Sequence, residues 1–207
     1  MLNKKLFTKT PLLAQWLYPT LLWRYKPTQK KIYLTFDDGP TPKITDAVLA
    51  ILKSYNAKAT FFCVGQQAEK NKDLLQKIIA ENHTIGNHTN KHLNGWQTNT
   101  KTYLNDIADA TSTINSKLFR PPYGKIKRKQ IATISKQYKI VMWDVLSYDY
   151  DKNISPEKCL QFVLKSTRSG SIVVFHDSVK SEKNMLYALP KMLEHFSKLG
   201  YSFCAIE

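Results

Sequence analysis

A chain of 207 residues with 43% hydrophobic content has ample apolar sequence for one domain with its own core, which excludes a disordered protein. Its 31 basic and 16 acidic residues leave a net charge of +15. The basic residues are scattered, as in Lys4-Lys5, Lys30-Lys31 and Lys125-Ile126-Lys127-Arg128-Lys129, and none of these runs alternates with aromatics, so no dedicated nucleic-acid module is expected. The charge reads as a solvated cationic surface, with weak attraction to an anionic polymer or membrane as the alternative.

Residues 1–28 read as an N-terminal extension. The run Pro11-Leu12-Leu13-Ala14-Gln15-Trp16-Leu17-Tyr18-Pro19-Thr20-Leu21-Leu22-Trp23 is broken by two prolines and a glutamine and lacks a small-residue cleavage site, unlike a signal peptide. It is also too short to span a bilayer. A packing segment is expected, with interfacial membrane attachment through Trp16, Tyr18 and Trp23 as the alternative. The three cysteines, Cys63, Cys159 and Cys204, have no paired spacing and suit buried thiols in a reducing compartment. Cytoplasmic location is the expectation; peripheral membrane association and non-classical export are the alternatives.

Residues 29–207 read as a single catalytic domain of alternating strands and helices. Ile32, Leu34 and Phe36 share a strand face, and Thr41-Pro42 predicts the N-cap and first position of a helix continued by Ile44, Val48, Ile51 and Leu52. Further strands are predicted at 58–64, 84–87, 118–120, 139–145, 171–175 and 201–206. Predicted helices carry Leu74, Leu75, Ile78 and Ile79, then Tyr103 through Ile107 and Ile114 to Leu118, then lie near 127–137, 156–168 and 184–199. Repeated βα units imply parallel strands covered by helices. Polar motifs follow five different strands, the placement of a barrel site rather than of one switch point, and the chain is short for eight full units. The expected fold is therefore α/β, a distorted, incomplete (β/α) barrel.

The motifs carry the chemistry. Thr35-Phe36-Asp37-Asp38-Gly39-Pro40 puts adjacent carboxylates at a strand end, a poor structural choice without a cation or a task. His88 and His92 stand four apart, and with one carboxylate they form a recurrent catalytic zinc arrangement that leaves a position for water. One aspartate can ligate while its neighbour takes a proton. His176, after Ile172-Val173-Val174-Phe175, titrates in the range needed to protonate a leaving nitrogen. Arg120, in the rigid fragment Phe119-Arg120-Pro121-Pro122-Tyr123-Gly124, can pair with a catalytic aspartate, and Pro122 belongs to the same groove wall. Asp149 can hold an arginine or orient a histidine. Trp143, Tyr148 and Tyr150 offer aromatic faces to a sugar ring. Each feature alone has an ordinary structural reading as a cap, turn or core residue; their conjunction points to a metal-dependent hydrolase.

These fragments closely resemble the polysaccharide deacetylases of carbohydrate esterase family 4, the NodB-like homology domain, from about residue 29 to the end. By that resemblance Asp37 is the general base, Asp38, His88 and His92 are ligands of one divalent ion, expected to be zinc with another first-row divalent ion as the alternative, and Arg120 tethers the base. The resemblance also implies that the Tyr123 N–H helps to stabilise an oxyanion. The fourth motif, normally Asp-x-x-Asp-Trp, reads Leu146-Ser147-Tyr148-Asp149-Tyr150, which retains Asp149 and substitutes Tyr150 as groove wall. The fifth, normally Leu-x-His, reads Val174-Phe175-His176, with Val174 beside the acetyl methyl. The resemblance implies N-deacetylation of an N-acetylglucosamine-containing oligo- or polysaccharide, or of a peptidoglycan fragment or precursor. The alternatives are a non-catalytic glycan-binding protein and a deacylase of another amide or ester.

Overall fold

A computed structural model describes residues 8–207; Lys4 and Lys5 lie outside the described residues. The architecture is built on β1 (Lys31–Asp37), whose Ile32, Leu34 and Phe36 are fully buried. Both faces of a strand must be covered when it lies inside a parallel sheet. The remaining strands are β2 (Thr60–Cys63), β3 (Thr84–Asn87), β4 (Leu118–Phe119), β5 (Lys139–Ile140), β6 (Val145–Leu146), β7 (Ile172–His176) and β8 (Ser202–Cys204). All described pairings between them are parallel, in the order β5-β4-β3-β2-β1-β7-β6. β8 pairs with Lys31–Tyr33, the half of β1 that β2 does not reach.

Alternation along the strands sends successive side chains to opposite faces of the sheet. Leu34, Phe36, Phe61, Val173 and Phe175 face outward and pack against Val48, Leu49 and Leu52 of α2 (Ile44–Ser54) and Met185, Leu189 and Met192 of α8 (Glu182–Lys198). Inside the curl, Phe62, Leu118, Val141, Ile172 and Ile206 form a smaller cluster. The outward cluster also receives Cys159 and Val163 of α7 (Pro156–Ser166). Cys63 and Cys159 are buried free thiols and Cys204 is half-buried.

The expected distorted, incomplete barrel stands, with local differences. The strand expected over 139–145 is two short strands, β5 and β6, because residues 22–25 enter beside it. Leu22 N–H donates to the Ile140 carbonyl, Met142 N–H donates to the Leu22 carbonyl, and Tyr25 N–H donates to the Gly170 carbonyl. Farther upstream, Thr10 N–H donates to the Asp144 carbonyl and Leu146 N–H to that of Thr8. The N-terminal segment thus binds strands at both ends of the sheet order. Thr41-Pro42 precedes α2 rather than opening it: Thr41 N–H donates to the Thr45 hydroxyl, and Lys43 is the residue flanking the helix. The long helix expected through Leu118 ends as α5 (Thr100–Asp109) followed by a tight turn, leaving Leu118 to β4. Asn99 caps α5 by accepting from Thr102 N–H. No helix among the described residues is long and apolar enough to cross a membrane.

Candidate active site

The C-terminal ends of β1, β3, β4, β6 and β7 and the loops that follow them deliver polar groups to one cavity of about 180 Å³. Adjacent-strand register makes Asp37 and His176 direct partners across β1 and β7. Among the described residues, the loops at this end hold Asp38, Thr89, His92, Tyr123 and Tyr148 at positive φ, a conformation uncommon outside glycine that concentrates at functional sites. Gly39 is required for contact rather than for its φ: a Cβ there would collide with the Asp177 carboxylate, which accepts from Gly39 N–H at 3.1 Å and from the Thr45 hydroxyl.

Arg120 occupies the interior of the curl with no solvent exposure. Its Nη1 donates to Asp37 Oδ1 and to Thr35 Oγ1, both at 2.7 Å. Nε and Nη2 donate to the carbonyls of Val141 and Met142, at 3.2 and 2.8 Å, where the break between β5 and β6 leaves backbone acceptors. Its guanidinium carbon lies 4.2 Å from the Phe62 ring centre. A buried charge is tolerable when paired and hydrogen-bonded, and this one is paired with Asp37 and donates four hydrogen bonds. The result is a fixed Asp37 at the cavity floor.

Asp38, His88 and His92 bring one ligand atom each to within 4.8 Å of one another. Asp38 Oδ1 stands 3.1 Å from His92 Nε2 and 3.9 Å from His88 Nε2. His88 Nδ1 must donate to the Arg120 carbonyl at 2.7 Å, because a carbonyl only accepts, so its Nε2 keeps a lone pair toward the cluster when the ring is neutral. Burial lowers the His88 pKa to about 4 despite the opposing charges of Asp37 and Asp38, so the ring is neutral at pH 7. Burial would raise the Asp38 pKa, but the His92 hydrogen bond and the charges of His176, His88 and His92 hold it far below the ordinary carboxylate range. Two imidazoles and an ionised carboxylate form a donor set that fits a divalent ion with an open position.

His176 Nδ1 meets Asp149 Oδ1 at 2.8 Å, and His176 N–H donates to Asp149 Oδ2 at 2.7 Å. Burial opposes the charged ring, yet Asp149 above all, then Asp38 and Asp37, push its pKa up to about 9. The protonated ring keeps Nδ1–H on Asp149 and leaves Nε2–H for a cavity partner. Asp149 thus orients the histidine, while Arg120 pairs with Asp37.

Other expected groups divide. Trp143, Tyr150 and Val174 line the cavity. Tyr150 sets its ring edge-on to His176 with centres 4.9 Å apart, and burial raises its hydroxyl pKa to about 12. Tyr123 packs its ring on His92, with its hydroxyl 3.1 Å from Nδ1; its N–H makes no hydrogen bond among the described residues. Pro122 is buried at the start of a short turn and does not line the cavity; its fixed ring shapes the turn that carries Tyr123. Lys180 and Leu146 line the cavity without having been expected there. Lys180 Nζ lies 2.9 Å from Asp38 Oδ2, and one loop lysine among many carries no sequence signal. Asp177, directly after His176, was legible as a second strand-end carboxylate but had no assigned role.

This site and fold define a class. Residues 24–143 match the family model described as polysaccharide deacetylase, and the chain belongs to that family of enzymes, carbohydrate esterase family 4. It is 35% identical over 204 residues to a peptidoglycan-N-acetylglucosamine deacetylase of Bacillus cereus, covering 94% of this chain and 96% of that relative. A crystal structure of the Bc1960 peptidoglycan N-acetylglucosamine deacetylase, in complex with 4-naphthalen-1-yl-N-oxidanyl-benzamide, superposes with a TM-score of 0.87 at 30% identity, covering 95% of each chain. BA3943 of Bacillus anthracis, described as a pseudoenzyme of carbohydrate esterase family 4, superposes at 0.76 with 26% identity, covering 89% of this chain and 66% of that one.

Proposed function

We propose that the protein hydrolyses the N-acetyl group of N-acetylglucosamine residues in an oligo- or polysaccharide, peptidoglycan-type glycan included, with Asp38, His88 and His92 holding one zinc ion. The observation that carries this reading is the pairing of Asp37, locked by Arg120, with His176, locked by Asp149, across neighbouring strands beside that donor set. When bound, the ion supplies Lewis-acid polarisation of the amide carbonyl and makes water acidic near neutral pH. Asp37 takes the proton of the attacking water as the new C–O bond forms. The Tyr123 N–H serves the carbonyl oxygen as negative charge develops there, an interaction commonly worth about 3 kcal/mol. His176 Nε2–H then protonates the amine nitrogen as the C–N bond breaks, giving acetate and a free amino sugar. Val174 and Leu146 offer the acetyl methyl an apolar wall, and Trp143 and Tyr150 offer the sugar ring aromatic surface.

A fold of this kind also serves a protein described as a pseudoenzyme, so turnover must be argued from the groups present. Base, acid, both positioning partners and three ligands are all here. Acetate release from N-acetylglucosamine oligomers, peptidoglycan fragments and an aryl acetate tests the proposal. Release from the sugar amides is expected; binding of the oligomers without release from any of the panel favours a glycan-binding role.

A second property is favoured by α1 (Leu12–Leu17). It exposes Leu12, Leu13, Trp16 and Leu17 together, on a chain of net charge +15. Exposed apolar side chains on a chain that is cationic as a whole suit the headgroup boundary of an anionic lipid surface. We propose peripheral attachment there, compatible with catalysis.

A further inference from the structure

A second cavity, of about 500 Å³, adjoins the catalytic one and shares Lys180 with it. Its lining includes Lys152, Ser155, Lys180, Lys183 and Asn184, and no carboxylate lines it. We propose that this cavity is a subsite for a carboxylate carried by the glycan, so that the enzyme prefers an anionic amino-sugar strand to a neutral one. The proposal rests on the N-deacetylase reading and specifies its substrate.

Three observations support it. Lys152 and Lys183 make no ion pair or hydrogen bond through their ammonium groups among the described residues, so their charge is available to a ligand. The flanking acids do not neutralise them by contact: Asp151 Oδ1 already accepts from the backbone and side-chain nitrogens of Asn153, and Glu157 interacts with Lys183 and Lys191 only through space. The cavity is also rigidly tied to the acid of the reaction. Asn184, buried in its lining, donates to the Asp149 carbonyl at 3.1 Å and to the Ile154 carbonyl at 3.0 Å, and the Asp149 carboxylate holds His176. A substituent held here is therefore held at a fixed distance from the proton donor.

Lysine ammonium groups act as hydrated point charges, suited to a carboxylate without demanding a planar fork. The cavity has room for an ether-linked lactate on a neighbouring sugar or the first residues of a peptide stem. Lys180, beside Asp38 Oδ2, stands at the junction of the two cavities.

Calorimetry on the full chain tests this with two probes: N-acetylated amino-sugar strands bearing ether-linked lactate, and the same strands with the carboxylates reduced to alcohols. We expect the carboxylate strand to bind about fivefold more tightly at low ionic strength, a difference that closes in high salt. Lys152→Gln with Lys183→Gln should remove the difference while leaving the melting curve cooperative. A third probe carrying peptide stems assigns the carboxylate, since further tightening places it on the peptide. Equal affinity of the two strands, or a preference that survives the double substitution, overturns the proposal. Acetate release from a neutral N-acetylglucosamine oligomer separates this outcome from failure of the deacetylase reading, because that release needs no carboxylate.

Discussion

Arg120 is the residue on which the site and the interior of the curl depend together. Four hydrogen bonds from one guanidinium reach a carboxylate and a hydroxyl of β1 and two carbonyls left free between β5 and β6. Arg120→Met should cost about 3–5 kcal/mol in denaturant unfolding, because Asp37 is left buried and unpartnered. Arg120→Lys keeps the charge but not the fork, and should fold while losing most acetate release. Asp149 has the complementary task. The raised His176 pKa means that this group contributes stability fully present below its ordinary value of 6.5 and lost as pH rises through about 9. In metal-depleted protein, Asp149→Asn should bring the His176 titration, followed by NMR, well below 9; an unchanged titration would show that Asp149 does not hold the proton. At this scale the sequence was readable because ionisable groups at strand ends have few structural excuses. Lys180 is hidden among 31 basic residues, and Pro122, expected in the groove wall, is buried and does not line the cavity.

Among the elements, apolar periodicity located β1, β3, β7 and the amphipathic helices closely, because burial itself writes that pattern. It failed where another segment supplies the hydrogen bonds. The run 139–145 is apolar enough for one strand, yet Leu22 enters beside it and the chain turns between β5 and β6. Likewise Ile114 and Leu118 continue a helical stripe, but Leu118 is needed in β4. The β2–β3 region gives a clean pH test. His83 Nδ1 accepts from Ala59 N–H at 3.2 Å and its ring stands edge-on to Phe61, an arrangement that requires the neutral form. Burial, then the charge of Lys58, lowers its pKa to about 4. The unfolded chain takes up this proton first, so the contribution of His83 is fully present above pH 6.5 and lost as pH falls toward 4. Urea midpoints of wild type should therefore fall more between pH 7 and 5 than those of His83→Gln; equal falls would contradict the assignment.

For the whole molecule, the parallel sheet and its curl follow from βα alternation, and the site follows from gathering five strand ends on one side. Less legible was the N-terminal segment, whose bonds to β5, β6 and the start of β7 are long-range pairings that no local pattern encodes. Its α1 leaves Trp16 75% exposed, so Trp16→Ala with Leu13→Ala should weaken cosedimentation with anionic vesicles about tenfold or more. Unaltered cosedimentation would remove the proposed attachment without touching the chemistry. The central claim, that Asp38, His88 and His92 hold the ion on which sugar N-deacetylation depends, is tested most directly by measuring bound zinc and acetate release together in wild type and Asp38→Ala. The account predicts one zinc per wild-type chain with release from an N-acetylglucosamine oligomer, and loss of both in the variant; release that persists in Asp38→Ala without bound metal would contradict it.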